Sequence, residues 1–175
     1  NPDEGYDEVR STVSFMLPAN VETLTLLGTA VYARGNGLDN VIGGSYAHNI
    51  LEGAAGDDRL YDNTGGSYFG GGAGSDALLG SSEADLLIGG SGSDSIDAGA
   101  GADVIVFNCG DGADTVHARG AGEDTVSLGG AGLDYANLAL RRSANDLVLE
   151  VNASDRMTFG DWYARSEEHT SELQS

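Results

Sequence analysis

Small polar or acidic residues recur every nine positions along the middle of this chain: Asn40, Asn49, Asp58, Ser67, Asp76, Asp85, Asp94 and Asp103. An apolar residue follows two places after each one: Ile42, Leu51, Leu60, Phe69, Leu78, Leu87, Ile96 and Ile105. Carboxylates, backbone carbonyls and side-chain amides are hard oxygen donors. Repeated in fixed phase, they suit a divalent cation that takes six or more oxygens, which favours Ca²⁺. Mg²⁺ fits less well because it retains its waters, and Zn²⁺ less again because no His/Cys cluster is present. Two carboxylates held ~5 Å apart repel by roughly 3 kcal/mol at an effective dielectric of ~20, so a cation would turn a cost into a bond.

Nine residues suit a six-residue glycine-rich turn followed by a three-residue strand with the apolar side chain at its centre. Two such units close one coil of eighteen residues. The predicted fold is therefore all-β: a parallel β-roll of two facing sheets, with Ile42, Leu60, Leu78 and Ile96 lining one and Leu51, Phe69, Leu87 and Ile105 the other. Stacked coils bring Asn40, Asp58, Asp76 and Asp94 into one column and Asn49, Ser67, Asp85 and Asp103 into a second. The strongest expected sites lie between Asp58 and Asp76, Asp76 and Asp94, and Asp85 and Asp103. Their turn backbone comes from Gly53, Gly56, Gly71, Gly72, Gly74, Gly89, Gly90, Gly92, Gly99 and Gly101. Asn40 is a weaker ligand. Asp111 or Asp114 is expected to complete a site above Asp94. About three to four Ca²⁺ ions are expected in all. One apolar residue in nine makes a thin core, so metal-binding energy is expected to be folding energy.

On this reading residues 1–34 form a β-strand flank, 35–106 the roll, and 107–164 a C-terminal β cap. The cap should contain a hairpin, with Leu138 and Leu140 opposite Leu147, Leu149 and Val151 around Ser-Ala-Asn-Asp. Solenoids need such ends to cover the last coil. The last residues, RSEEHTSELQS (165–175), look like a translated sequencing adapter and are set aside as a non-native tail. The chain opens in mid-pattern, as a segment of something longer would.

Composition narrows the function. The formal charge is −20, from 28 acids against 8 basic residues, all arginine. Such a surface repels nucleic acid and anionic membranes and attracts cations. A single cysteine, Cys109, excludes an internal disulfide framework. No stretch reaches the ~20 apolar residues of a membrane-spanning helix. With no lysine there is no phosphate-binding G-K-[ST] loop, and neither H-E-x-x-H nor an EF-hand spacing occurs. His48 and His117 read as surface polar residues. No catalytic residues are assigned, and the segment is expected not to be an enzyme.

GGAGSDALL (71–79) and GGSGSDSID (89–97) fit G-G-x-G-x-D-x-U-x at every fixed position, and GAAGDDRLY (53–61) and AGAGADVIV (98–106) come close. These residues resemble the RTX, or haemolysin-type, calcium-binding repeat of bacterial proteins. VRSTVSFMLPANVETLTLLG is similar to strands that precede such blocks, and DLVLEV with DWY to the cap that follows them. The resemblance implies a parallel β-roll and calcium-triggered folding in a secreted, extracellular protein. It also implies the type I secretion apparatus as a partner. Two alternatives stay open: a structural or adhesin-type array, and an accessory module of a secreted hydrolase or polysaccharide-modifying enzyme.

Overall fold

A computed structural model describes residues 5–117 and 122–163. The tail at 165–175 lies outside the described residues. Two sheets face each other. One stacks Glu8–Ser11, Thr23–Leu26, Val41–Gly43, Arg59–Tyr61, Ala77–Leu79, Ser95–Asp97, Ala113–His117 and Arg156–Gly160, all in parallel. The other stacks Phe15–Met16, Tyr32–Arg34, Ile50–Ala55, Tyr68–Gly74, Leu86–Gly92, Val104–Asn108 and Thr125–Gly129. From Glu8–Ser11 to Thr125–Gly129 the chain alternates between sheets at every step. This is a parallel β-roll.

The apolar residue of each unit points between the sheets. Ile42, Leu60, Leu78 and Ile96 are partners in one ladder, and Leu51, Phe69, Leu87 and Ile105 in the other. All eight are fully buried. Their flanking residues lie on the outer faces, so one side chain per strand carries the core.

The ladder crosses the borders that the nine-residue period suggests. Leu24 pairs with Ile42 and Ala33 with Leu51. Both keep the nine-residue phase, but the methyl of Ala33 gives no apolar signal in the sequence. At the other border Ile96 pairs with Val116 and Ile105 with Val126. Equivalent turn residues there lie 20 and 21 apart instead of 18. The extra residues break the sequence period without breaking the stack. One of them, Phe107, is buried and enlarges the core.

The two sheets differ in strand length. On one, strands are three residues long through most of the repeat. On the other, Tyr68–Gly74 and Leu86–Gly92 run on into the glycine turn, pairing Gly72 with Gly90 and Gly74 with Gly92. Backbones approach there so closely that a Cβ on Gly90 would overlap the Gly72 carbonyl oxygen. Only glycine permits that contact at positive φ.

The C-terminal part folds as an antiparallel meander on the end of one sheet. Ala139–Ser143 and Asp146–Glu150 form a hairpin, and Arg156–Gly160 returns to pair with both the hairpin and the roll. Leu149, Val151 and Met157 join the core, whereas Leu140 sits 68% exposed on the outermost strand. Leu138, Leu147 and Phe159 are partly buried. Phe159 and Trp162 meet edge to face at 5.9 Å.

Truncating one central side chain should open a cavity that this narrow core cannot collapse around. Leu78→Ala is expected to cost about 2–5 kcal/mol in denaturant unfolding with calcium present. Leu140→Ala should stay within about 0.5 kcal/mol.

Candidate metal centre

The turns at each end of the roll are held in register by the acids themselves. At one end the Asn40 amide donates to Asp58 Oδ1 at 2.7 Å, Asp58 to Asp76 at 2.8 Å, Asp76 to Asp94 at 2.8 Å, and Asp94 to Asp114 at 3.0 Å. At the other end Asn49 donates to Ser67 Oγ at 2.9 Å, Ser67 to Asp85 at 2.6 Å, Asp85 to Asp103 at 2.8 Å, and Asp103 to Asp124 at 3.2 Å. Each side chain therefore ties its own coil to the one before it.

The second carboxylate oxygen is the unusual one. Oδ2 of Asp58, Asp76, Asp94 and Asp103 is buried and has no hydrogen-bond partner among the described residues. A Cβ built on Gly53 would touch both Asp58 Oδ2 and the carbonyl oxygen of Gly71, and one on Gly71 both Asp76 Oδ2 and the Gly89 carbonyl. Each such gap is lined by a carboxylate and a carbonyl of the next coil, with no donor between them. A buried charged acceptor left unpaired costs more than the ~1–3 kcal/mol of a neutral one.

Acid strength reflects this. Burial, reinforced by the charge of Asp76, pushes the Asp58 carboxyl up to about 7. Burial and the charges of Asp94, Asp111 and Asp155 push Asp114 to about 7. Asp94 and Asp103 rise to about 6 for the same reasons. Burial raises Asp76 and Asp85 as well. Protons would be held there for want of another positive charge.

The arrangement fits a hard divalent cation. Among the described residues no three His, Cys, Asp or Glu side chains converge on one point. Stacked carboxylates therefore supply part of an oxygen set, and the turn carbonyls of Gly71 and Gly89 are placed to extend it. The family model of the RTX calcium-binding nonapeptide repeat, 4 copies, matches residues 34–61, 43–66 and 70–105. The chain carries RTX calcium-binding repeats. No curated protein matches it.

The RTX turns are not all alike. Asp58, Asp76 and Asp94 share one column, as does Asn40, whose amide donates to the Val21 and Glu22 carbonyls at 3.3 and 3.4 Å. Asp85 stands in the second column with Asp103, but both its oxygens are taken, Oδ1 by the Ser67 amide and Oδ2 by the Ser81 amide at 2.7 Å. Ser67 donates its hydroxyl to Asp62 at 2.7 Å. Asp114 continues the first column; Asp111 instead caps its own turn, accepting from the Asn108 amide at 2.6 Å. Above Asp114 the strand register places Met157, fully buried, so an apolar side chain closes the column.

Two further residues escape a strict nine-residue count. Asp124 extends the second column, displaced by the longer coil; the GEDTV echo of GADTV was its signal. Asp155, from the loop before the last strand, accepts from the Gly110 amide at 2.7 Å and so fastens the cap to the last turn of the column. Burial would raise its carboxyl, but the Gly110, Asn152 and Ser154 donors outweigh that and lower it. Conversely, Gly129–Asp134 reads G-G-A-G-L-D yet is no member of the stack. Asp134 is exposed and caps the short 3-10 turn Tyr135–Asn137.

Raised carboxyl values fix the sign of the pH dependence. The folded, metal-free chain holds protons on Asp58, Asp94, Asp103 and Asp114 that the unfolded chain releases above the ordinary value of 3.8. That contribution to stability is complete below about pH 4 and is lost as pH rises through about 6 to 7. In EDTA, β content and thermal stability should therefore fall across this window, leaving a largely unfolded chain at about pH 7.5. Excess calcium should reverse the trend, because the cation binds the ionised form.

Proposed function

We propose that this chain is the calcium-binding module of a secreted bacterial protein, and that it folds when it meets calcium outside the cell. The observation that carries the reading is the set of four buried carboxylate oxygens without partners, on Asp58, Asp76, Asp94 and Asp103. They support a load of three to four Ca²⁺ ions. Asp114 and Asp124 would complete the last coils, and turn carbonyls such as those of Gly71 and Gly89 would fill out the oxygen shell. Bound calcium supplies positive charge between stacked acids. The chain's own residues do the rest: the carboxylates cross-link successive coils through backbone amides, and the glycines keep the turns thin enough to stack.

Calcium affinity in this class of site suits such a trigger. Extracellular modules bind at ~10⁻⁴–10⁻³ M, far above free calcium inside a cell. A chain with a net charge of −20 would stay expanded there by self-repulsion. Export through a type I apparatus agrees with this order of events, since an unfolded chain passes a narrow channel more readily than a folded one. On this reading the module is a binding and folding unit rather than an enzyme.

Circular dichroism gives the test. In EDTA at about pH 7.5, where these carboxyls are ionised, the chain should lack most of its β signal, and millimolar calcium, but not magnesium, should restore it. A full β spectrum in EDTA would exclude calcium-triggered folding. Among single substitutions, Asp76→Ala should lose more bound calcium by titration calorimetry than Asp103→Ala, because its neighbours Asp58 and Asp94 both have an unpartnered Oδ2, whereas Asp85 beside Asp103 is taken by the Ser81 amide.

A further inference from the structure

The turns fall into two classes that repeat degeneracy alone does not define. In 53–58, 71–76, 89–94 and 98–103 the second residue has positive φ: Ala54 at 93°, Gly72 at 119°, Gly90 at 107° and Gly99 at 93°. These four turns are also the ones whose aspartate has an unpartnered Oδ2. In 35–40, 44–49 and 80–85 the second residue is Asn36, Ser45 or Ser81, none at positive φ. There its amide donates to the sixth residue of the turn, Asn40, Asn49 or Asp85, at 2.7 Å in each case. Its side-chain oxygen in turn accepts from the fourth residue's amide: Leu38 at 2.8 Å, Ala47 at 3.1 Å and Glu83 at 3.1 Å.

We infer that in these seven turns the second residue selects what the sixth binds: a cation where the second has positive φ, and the turn's own amide where it is serine or asparagine. The inference rests on the proposed calcium function and sharpens it. The frame is common to both classes. A Cβ on Gly80 would touch the Ala98 carbonyl oxygen and Asp85 Oδ2 together, as one on Gly53 touches the Gly71 carbonyl and Asp58 Oδ2. Asp85 thus has the cation frame, and the Ser81 amide fills it. The cause is local. A serine or asparagine oxygen that caps the amide two residues on holds the backbone in a turn that aims its own N–H inward. Positive φ rotates that N–H away. A serine at position 99 could not follow Gly99, since its Cβ would overlap the Ser81 carbonyl.

The consequence is an asymmetric module. Three cation turns line one edge of the roll. The opposite edge is closed by hydrogen bonds at 44–49 and 80–85, and 62–67 is held by the Ser67 hydroxyl on Asp62. Turn 98–103 is the lone cation turn of that edge within the repeat. The Asp85 position is a latent site, and the sequence expectation of a strong Asp85–Asp103 site is revised on this account.

Calcium stoichiometry by titration calorimetry tests the inference on the wild-type chain and three variants. Glu83→Gly alone should leave the ion count unchanged, because the Ser81 amide still fills the frame. Ser81→Gly added to Glu83→Gly should raise the count by one. Gly99→Ser should lower it by one, with calcium-dependent circular dichroism verifying that each variant folds. Gain of an ion by Glu83→Gly alone, or no gain in the double variant while the wild type binds calcium, overturns the inference and leaves the proposed function standing. A wild-type chain that binds no calcium overturns both.

Discussion

Oxygen facing oxygen inside the glycine turns governs this fold. At Asp58 and Asp76 a carboxylate oxygen and the next coil's carbonyl line the same gap, and no N–H reaches either carboxylate's Oδ2. In water each would be hydrated. Stacking the coils removes that water and offers no donor in exchange, so the folded chain must find positive charge. Protons meet the need in part, which is why burial drives Asp58 and Asp114 up to about 7. A divalent cation meets it at neutral pH. Everything else in the roll accommodates that requirement: glycines that let carbonyls crowd the site, short strands that bring the next turn around, and a core one side chain wide.

Coupling along the roll is strictly between neighbours. Each acid binds the amide of the preceding coil through Oδ1, and each strand pairs only with its equivalents above and below. Solenoids of this kind are stabilised by the sum of such neighbour terms. A gap in the column is therefore a local fault rather than a global one, and the degenerate turns illustrate how it is repaired. Where an intact glycine turn is lacking, Asn36, Ser45 or Ser81 folds the turn back onto its own amides. The ends of the acid column are closed differently, by the neutral amide of Asn40 at one end and the thioether of Met157 at the other.

Much of this was legible in the sequence because it depends on phase. Asp58, Asp76 and Asp94 fall eighteen residues apart, and the glycine-rich turns between them exclude a helix, so stacked coils account for that interval. The alternation of Leu60 and Phe69 between two sheets follows from the same count. What phase cannot carry was missed. Val116, Val126 and Asp124 belong to the stack but follow insertions, so their register is set by strand pairing and not by spacing. Ala33 occupies a core position with too small a side chain to mark it. Asp85 and Asp103 look equivalent as letters, yet a serine at 81 and a glycine at 99 give the two turns opposite backbone conformations. Gly129–Asp134 shows the converse: a near-consensus string whose aspartate is exposed and caps a 3-10 turn.

A crystal structure grown with millimolar calcium, phased on the anomalous signal of the ions, would show directly whether cations fill the oxygen-lined turns. Calcium peaks are expected within ligand distance of Oδ2 of Asp58, Asp76, Asp94 and Asp103, and none at Asp85, where the Ser81 amide already donates. Those four oxygens found paired with backbone or side-chain donors, with calcium elsewhere on the acidic surface, would contradict that expectation.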